Sequence, residues 1–439
     1  MIGLLITIIG FSVVGTSMQR LLGGGARFLL GVGTVGVTLY VTLLLHIPMI
    51  PVLVLLFLIS LLIVWSAGDL AREWSAGDLA RHIPRNRPTL PTIVTLVPIL
   101  ALLFAGAILP LADFDGRAFW VLKAKAIATE GFVDGPFFQG QSSWNPKNEY
   151  PLLVPIVNAA VMTASGSIDD LTIRWLPILA LGSLVFHARK WVGVWVAALI
   201  PWVPQFAVLH EGSALTGYND IFLGAFAACA FFELVERASP LRFGFWLAFL
   251  ILTKNEGLPF ALILLGAGIV VWRERIIRAL IPLLTAMVTL LVWKGRVDAT
   301  DDDPLLSLLP TLPERLERFG PAVAGLLRHA FELDRWGLFW IAAFAAATFL
   351  VVRREWKTAA LPLSIIGAMS AVYVAAYMVT AWQLEDHMEA SADRLLMHFI
   401  GPAAFLIGAL AQSRYSPAPH PQTEASPELD RRDRVSPRP

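Results

Sequence analysis

The chain has 439 residues, of which 56% are hydrophobic and 15% charged, and its net charge is +1. A soluble domain carries about 25% charged residues, so this chain has too little polar surface to cover itself in water. The near-neutral balance also argues against a nucleic-acid partner, and a single cysteine, Cys229, excludes a disulfide framework.

The mean hydropathy is +0.67, and the apolar residues come in long blocks instead of at amphipathic spacing. Lipid is the solvent for such blocks. In chain order they predict thirteen transmembrane spans, at 2–18, 28–45, 48–65, 91–111, 171–187, 191–208, 218–235, 241–253, 257–272, 279–293, 335–352, 358–380 and 395–411. The first block lacks a basic leader and a small-residue cleavage motif, so it reads as a span and not as a signal peptide. A further apolar piece, 151–164, is short against the roughly 20 residues a crossing needs. It is expected to be re-entrant or interfacial.

Basic loops orient the spans. Arg20 and Arg27, Arg72 to Arg87, Arg189 with Lys190, Arg237 with Arg242, Arg273 to Arg278, Arg353 to Lys357 and the tail are placed in the cytoplasm. The N-terminus is then outside and the C-terminus inside. The outer face consists of 112–170, 209–217, the Lys254-Asn255-Glu256 turn, 294–334 and 382–394, and acidic residues concentrate there. The expected organisation is a three-span extension over 1–90, a membrane module over 91–411 with 112–170 as its large outer loop, and a Pro- and Ser-rich disordered tail over 412–439. A tandem duplication, Trp65 to Arg72 repeated at Trp74 to Arg81, reads as tolerated loop length.

Five outer segments carry residues capable of chemistry. In the first, Asp113 and Asp115 leave the membrane just ahead of Arg117, Lys123 and Lys125. A partly desolvated carboxylate can act as a general base, and the cations can hold a phosphate. The alternative is an interfacial helix whose long cations snorkel to head groups. In the second, Lys147 and Glu149 precede Tyr150-Pro151, and Glu149 is either a helix N-terminal charge or a second carboxylate able to ligate a metal. In the third, Asp220 opens the 218–235 span, where a capping role competes with a functional one. In the fourth, Lys254 and Glu256 interrupt an apolar stretch at an outer turn. Two residues apart, they would not face each other along one helix. In the fifth, His387 sits beside Asp386 and near Glu389, a set able to hold a divalent cation or simply a solvated loop, and Arg394 follows.

Taken in order, Asp115-x-x-x-x-Trp120-x-x-Lys123-Ala-Lys125-Ala, Tyr150-Pro151-Leu152-Leu153, Gly217-Tyr218-x-Asp220, Thr253-Lys254-Asn255-Glu256-Gly257 and Ser391-x-Asp393-Arg394-Leu395-Leu396 resemble one superfamily over about 111–411. It is the GT-C class of polytopic membrane glycosyltransferases, which includes the protein O-mannosyltransferases and the lipid A aminoarabinose transferase; the likeness is to an uncharacterised bacterial branch. The resemblance implies a bacterial plasma-membrane enzyme that takes a sugar from a polyprenyl-phosphate donor. The acceptor would be an extracytoplasmic glycan, lipid or protein, and the transfer would invert the sugar. It implies Asp115 as base with Asp113 as competitor, Glu149 as a second acidic group, and Asp220 as an acidic position at a later span. Relatives carry Lys-Pro-Pro where this chain has Tyr150-Pro151-Leu152, so Lys147 would substitute. Arg117, Lys123, Lys125, Lys254 and Arg394 would hold the lipid phosphate, with Glu256 beside them, and Glu149 with His387 would position a cation or the acceptor. A transporter or lipid flippase of cell-envelope precursors is the competing reading, and a non-catalytic assembly subunit the third.

Overall fold

The computed structural model describes residues 2–23, 25–66, 89–111, 113–140, 150–170, 173–208, 210–297 and 308–413. The duplicated segment, Lys147, Glu149 and the Pro-rich tail lie outside the described residues, apart from Trp65 and Ser66 at the end of a helix. Among the described residues there are helices and no strands.

The apolar blocks fold into α1 (Ile2–Leu22), α2 (Arg27–Leu44), α3 (Met49–Ser66), α4 (Leu90–Ile108), α5 (Leu122–Glu130), α6 (Leu153–Ser165), α7 (Trp175–Val192) and α8 (Asp220–Glu236). They continue as α9 (Pro240–Thr253), α10 (Gly257–Trp272), α11 (Ile277–Lys294), α12 (Phe319–Ala330), α13 (Phe339–Val352), α14 (Trp356–Val379), α15 (Leu384–Met397) and α16 (Ile400–Ser413). Helix α8 is the centre of the bundle. Its residues from Asp220 to Leu234 are all buried, and it packs on α7, α9, α10, α15 and α16. The run of Ala and Gly between its Phe residues allows this, because small side chains let neighbouring helices approach closely in membranes. Helix α3 is the opposite case. Only Met49, Ser60 and Val64 are buried along it, while Leu55, Leu58 and Leu62 point outward, as lipid-facing residues do.

Thirteen full-length crossings are more than the described helices provide by length. Six stretches are long and apolar enough to cross a bilayer: Leu5–Leu22, Arg27–Leu44, Met49–Ser66, Leu90–Ile108, Gly257–Lys294 and Trp356–Val379. Helices α15 and α16, bent by 54° at their junction, make a seventh if taken as one span. The shortfall has local causes. The block expected at 191–208 is cut at Gly193 and again at Pro201 and Pro204, leaving Val194–Leu199, a 3-10 turn at Ile200–Trp202 and Pro204–Ala207. Proline supplies no N–H to the helix interior. The block at 335–352 breaks at Gly337, and the shorter apolar helices include α9 and α13. These apolar helices are those of a multi-pass membrane protein.

The piece expected to be too short for a full crossing is α6, of 13 residues. At about 1.5 Å per residue it is shorter than the apolar core of a bilayer. Leu153 to Met162 are buried without interruption, and α6 packs on α1, α2 and α5. Other protein segments, not lipid, surround it.

Candidate functional site

The site is assembled from four places where a helix stops. The first follows α4. Asp113 Oδ1 accepts a hydrogen bond from the Gly116 N–H at 3.4 Å, and a π-helical turn, Gly116–Val121, leads into α5. Such wide turns are frequent at functional sites. Gly116 lies directly against the segment before α8, and a Cβ there would stand 1.8 Å from the Thr216 carbonyl oxygen. Only glycine permits that approach, which brings Asp115 alongside Tyr218.

The second place is the N-terminus of α8, where Asn219 and Asp220 are completely buried. The third is the break between α9 and α10. Lys254 has an extended backbone (φ −152°, ψ 162°) that ends α9, and Gly257 restarts the helix so tightly that a Cβ would meet the Leu250 carbonyl oxygen at 1.9 Å. The fourth is the bend between α15 and α16, where Arg394 and His398 stand four residues apart on one face.

These four ends meet in a single polar cluster. Lys254 Nζ donates to Asp220 Oδ1 at 2.9 Å and lies 3.3 Å from Glu256 Oε1. Their sequence spacing does not separate them, because the helical rule does not apply to an extended residue. His398 Nε2 lies 3.1 Å from the same Asp220 oxygen, and its Nδ1 is 2.6 Å from the Tyr373 hydroxyl. With a carboxylate on one side, Nε2 carries the proton and Nδ1 accepts from tyrosine. Arg394 lies over the Tyr218 ring, 4.7 Å from its centroid. It donates from Nε and Nη2 to the Ala390 carbonyl at 3.0 and 2.7 Å, which leaves Nη1 3.8 Å from Asp115 Oδ2.

Access is graded across the cluster. Side-chain exposure falls from 33% at Asp115 to 16% at Arg394, then to 4% at Lys254 and 0% at Asp220. The open end therefore carries a carboxylate and a guanidinium, and the closed end a lysine held by its own carboxylates. Lys123, also buried, stands 5.3 Å from the Trp120 ring centroid and 5.7 Å from that of Tyr150. Lys254 lies 6.0 Å from the same Trp120 ring, so both lysines border this indole. Asp220 Oδ2, Glu256 Oε2 and both polar atoms of the Asn219 side chain are buried without a hydrogen-bond partner. Each such group costs about 1–3 kcal/mol. Uncommitted buried polar groups of this kind call for an explanation such as a ligand or a catalytic role.

The structure thus brings together Asp115, Asp220, Lys254, Glu256 and Arg394. Asp113 serves the turn beside them. Arg117 is exposed on the π-helical turn. Lys125 pairs with Asp170 at 2.6 Å, both groups partly exposed. Lys147 and Glu149 lie outside the described residues. His387 Nδ1 is 2.8 Å from the Thr380 hydroxyl, and its ring lies near those of Tyr377 and Trp382. Among the described residues, the one group of three side chains able to hold a metal is His329, Glu332 and Asp393, which does not include His387.

Reasoning from the sequence missed His398, Tyr373, Tyr218 and Asn219 as site residues. The four-residue spacing from Arg394 was a signal for His398. Nothing local signals Tyr373, which is brought in by the packing of α14 on α16. No protein-family model, curated protein or solved structure matches the chain.

Proposed function

We propose that the chain is a GT-C-type membrane glycosyltransferase that moves a sugar, with inversion, from a polyprenyl phosphate to an extracytoplasmic glycan, lipid or protein acceptor. In this reading the thirteen apolar segments, several of them short or broken, run from an outer N-terminus to a cytoplasmic C-terminus. The polar cluster faces outward in a bacterial plasma membrane. The observation that carries the proposal is the approach of partly exposed Asp115 to Arg394 at the open end of a buried polar cluster.

Asp115 removes the acceptor hydroxyl proton as that oxygen attacks the anomeric carbon. The bond from that carbon to the lipid phosphate breaks, and the phosphate takes the bonding electrons. Arg394 and exposed Arg117 are the cations placed to meet that anion, and a guanidinium can do so with two parallel hydrogen bonds. Lys254, held by Asp220 and Glu256, ties the start of α8 to the break between α9 and α10 and keeps its charge at the closed end of the same cluster. Lys123, buried beside Trp120 and Tyr150, adds positive charge near the cluster.

Membranes containing Asp115→Asn, supplied with labelled polyprenyl-phosphate sugars, should form product about 100-fold more slowly or worse at unchanged protein abundance. Full activity in that variant removes Asp115 as the base. Transport of a lipid-linked precursor in proteoliposomes without product formation would replace the transferase reading with a flippase.

A further inference from the structure

A second cluster lies beside the first and contains none of its residues. It joins the end of α12 to α15 through His329, Glu332 and Asp393. We propose that these three side chains form a binding site for one divalent transition-metal cation of the zinc class. The site would pin the 319–336 segment to the helix that carries Arg394.

Three observations carry this. First, His329 is 1% exposed, and its Nδ1 is buried without a hydrogen-bond partner. Yet Nδ1 points at two carboxylates, 3.4 Å from Glu332 Oε1 and 3.5 Å from Asp393 Oδ1. Neither contact is a hydrogen bond, since Nδ1 has no hydrogen-bond partner, and both are longer than the usual N–H···O range of about 2.7–3.2 Å. They match the spacing between neighbouring ligands around a tetrahedral zinc ion, about 3.3 Å for bonds of about 2.0–2.1 Å. The ligand atoms of all three residues lie within 4.8 Å of one another.

Second, the surrounding groups orient the ligands. Trp336 Nε1 donates to Asp393 Oδ1 at 3.2 Å and leaves that oxygen a lone pair. Arg335 Nε stands 3.6 Å from Asp393 Oδ2. On the far side of the imidazole, Nε2 faces Glu389 Oε1 at 4.0 Å and Arg328 Nη2 at 3.5 Å. Third, the donor set is selective. One imidazole with two carboxylates suits zinc-class ions, whereas magnesium and calcium prefer oxygen ligands alone. The inference does not depend on the transferase reading, since it concerns binding and not turnover.

The test uses the full-length protein in detergent, stripped of metal and free of any affinity tag. Titration with Zn2+ should fill one saturable site per chain and raise the thermal midpoint, while Mg2+ at equal concentration should not. Co2+ in its place should give a visible absorption band that Zn2+ bleaches. His329→Gln should lose the stoichiometric site, Glu332→Gln should weaken it about tenfold or more, and His387→Ala should keep it. The proposal is overturned if the wild-type protein takes up no stoichiometric Zn2+, or if folded Glu332→Gln binds it as tightly as wild type. Glu332 is partly exposed, so that variant stays informative even where His329→Gln does not accumulate.

Discussion

Two buried ionic clusters sit at opposite ends of α8, and they are built differently. At its C-terminal end Glu233 and Arg242 form a closed pair. Arg242 Nε and Nη2 both donate to the Glu233 carboxylate, the latter at 2.7 Å, and Nη1 donates to the Leu22 carbonyl at 2.9 Å. One charge answers one charge, and each guanidinium nitrogen has an acceptor. At the N-terminal end Asp220 shares a single oxygen with Lys254 and His398, while its other oxygen, one Glu256 oxygen and the Asn219 amide have no partner. Desolvation costs are present in both places. Only the first recovers them within its own geometry, so the first reads as architecture and the second as a site.

Breaking the closed pair should give the largest change in stability. Arg242→Met strands Glu233 in the bundle, at a cost of about 3–5 kcal/mol, read as a lower thermal midpoint in detergent. Replacing both partners, with Arg242→Met and Glu233→Leu together, should restore the midpoint to near wild type, because a well-packed apolar pair avoids desolvation altogether. Product formation should return with it. A double variant as unstable as the single one would show that the pair does more than hold α8, α9 and α1 together.

The open cluster should respond in the reverse sense. Asp220→Asn keeps the shape of the side chain but removes the charge that Lys254 and His398 share. The loss, about 1.5–3 kcal/mol for hydrogen bonds to a charged group, is smaller because Glu256 still faces Lys254 at 3.3 Å. Activity should nevertheless be abolished, and no second substitution to an apolar residue at Lys254 should restore it. Recovery of turnover in an apolar Asp220 and Lys254 double variant would reduce this cluster to a second structural pair.

This contrast was only half legible in the sequence. The apolar blocks announced the helices, and their interruptions at Lys254, Asp115 and Arg394 pointed to polar ends. Asp220, however, stands at a helix start, where a cap is the ordinary explanation, and its partner is 34 residues away. Pairing at that distance is fixed by how α8 and α9 pack and has no local signature. Glu233 and Arg242 are nine residues apart across a turn. Arg242 read as one more basic loop residue because burial cannot be seen in a single chain. Span length could not be read from composition for a related reason. Apolar composition marks a segment as buried in lipid or in protein without distinguishing them, and the block at 191–208 is broken into short helical pieces.

The smallest effect separates the two ends by pH. His210 lies in the segment before α8, and its Nδ1 accepts from Arg335 Nη1 at 2.7 Å. Burial, with the Arg335 charge, holds this imidazole below its ordinary value of 6.5, against the opposing pull of Asp334 and Asp393. The folded protein therefore keeps His210 neutral where the unfolded chain has begun to take up a proton. Its contribution to stability is present above pH 6.5 and is lost as the pH falls through the interval below that value. His210→Gln keeps an acceptor for Arg335 and removes the titration. Between pH 7.5 and 5.5, about one unit either side of the ordinary histidine value, the wild-type midpoint should fall more steeply than that of His210→Gln. Arg242→Met with Glu233→Leu, changed at the other end of α8, should retain the wild-type slope. Equal slopes for wild type and His210→Gln would mean that the Arg335 contact holds equally well with a charged imidazole.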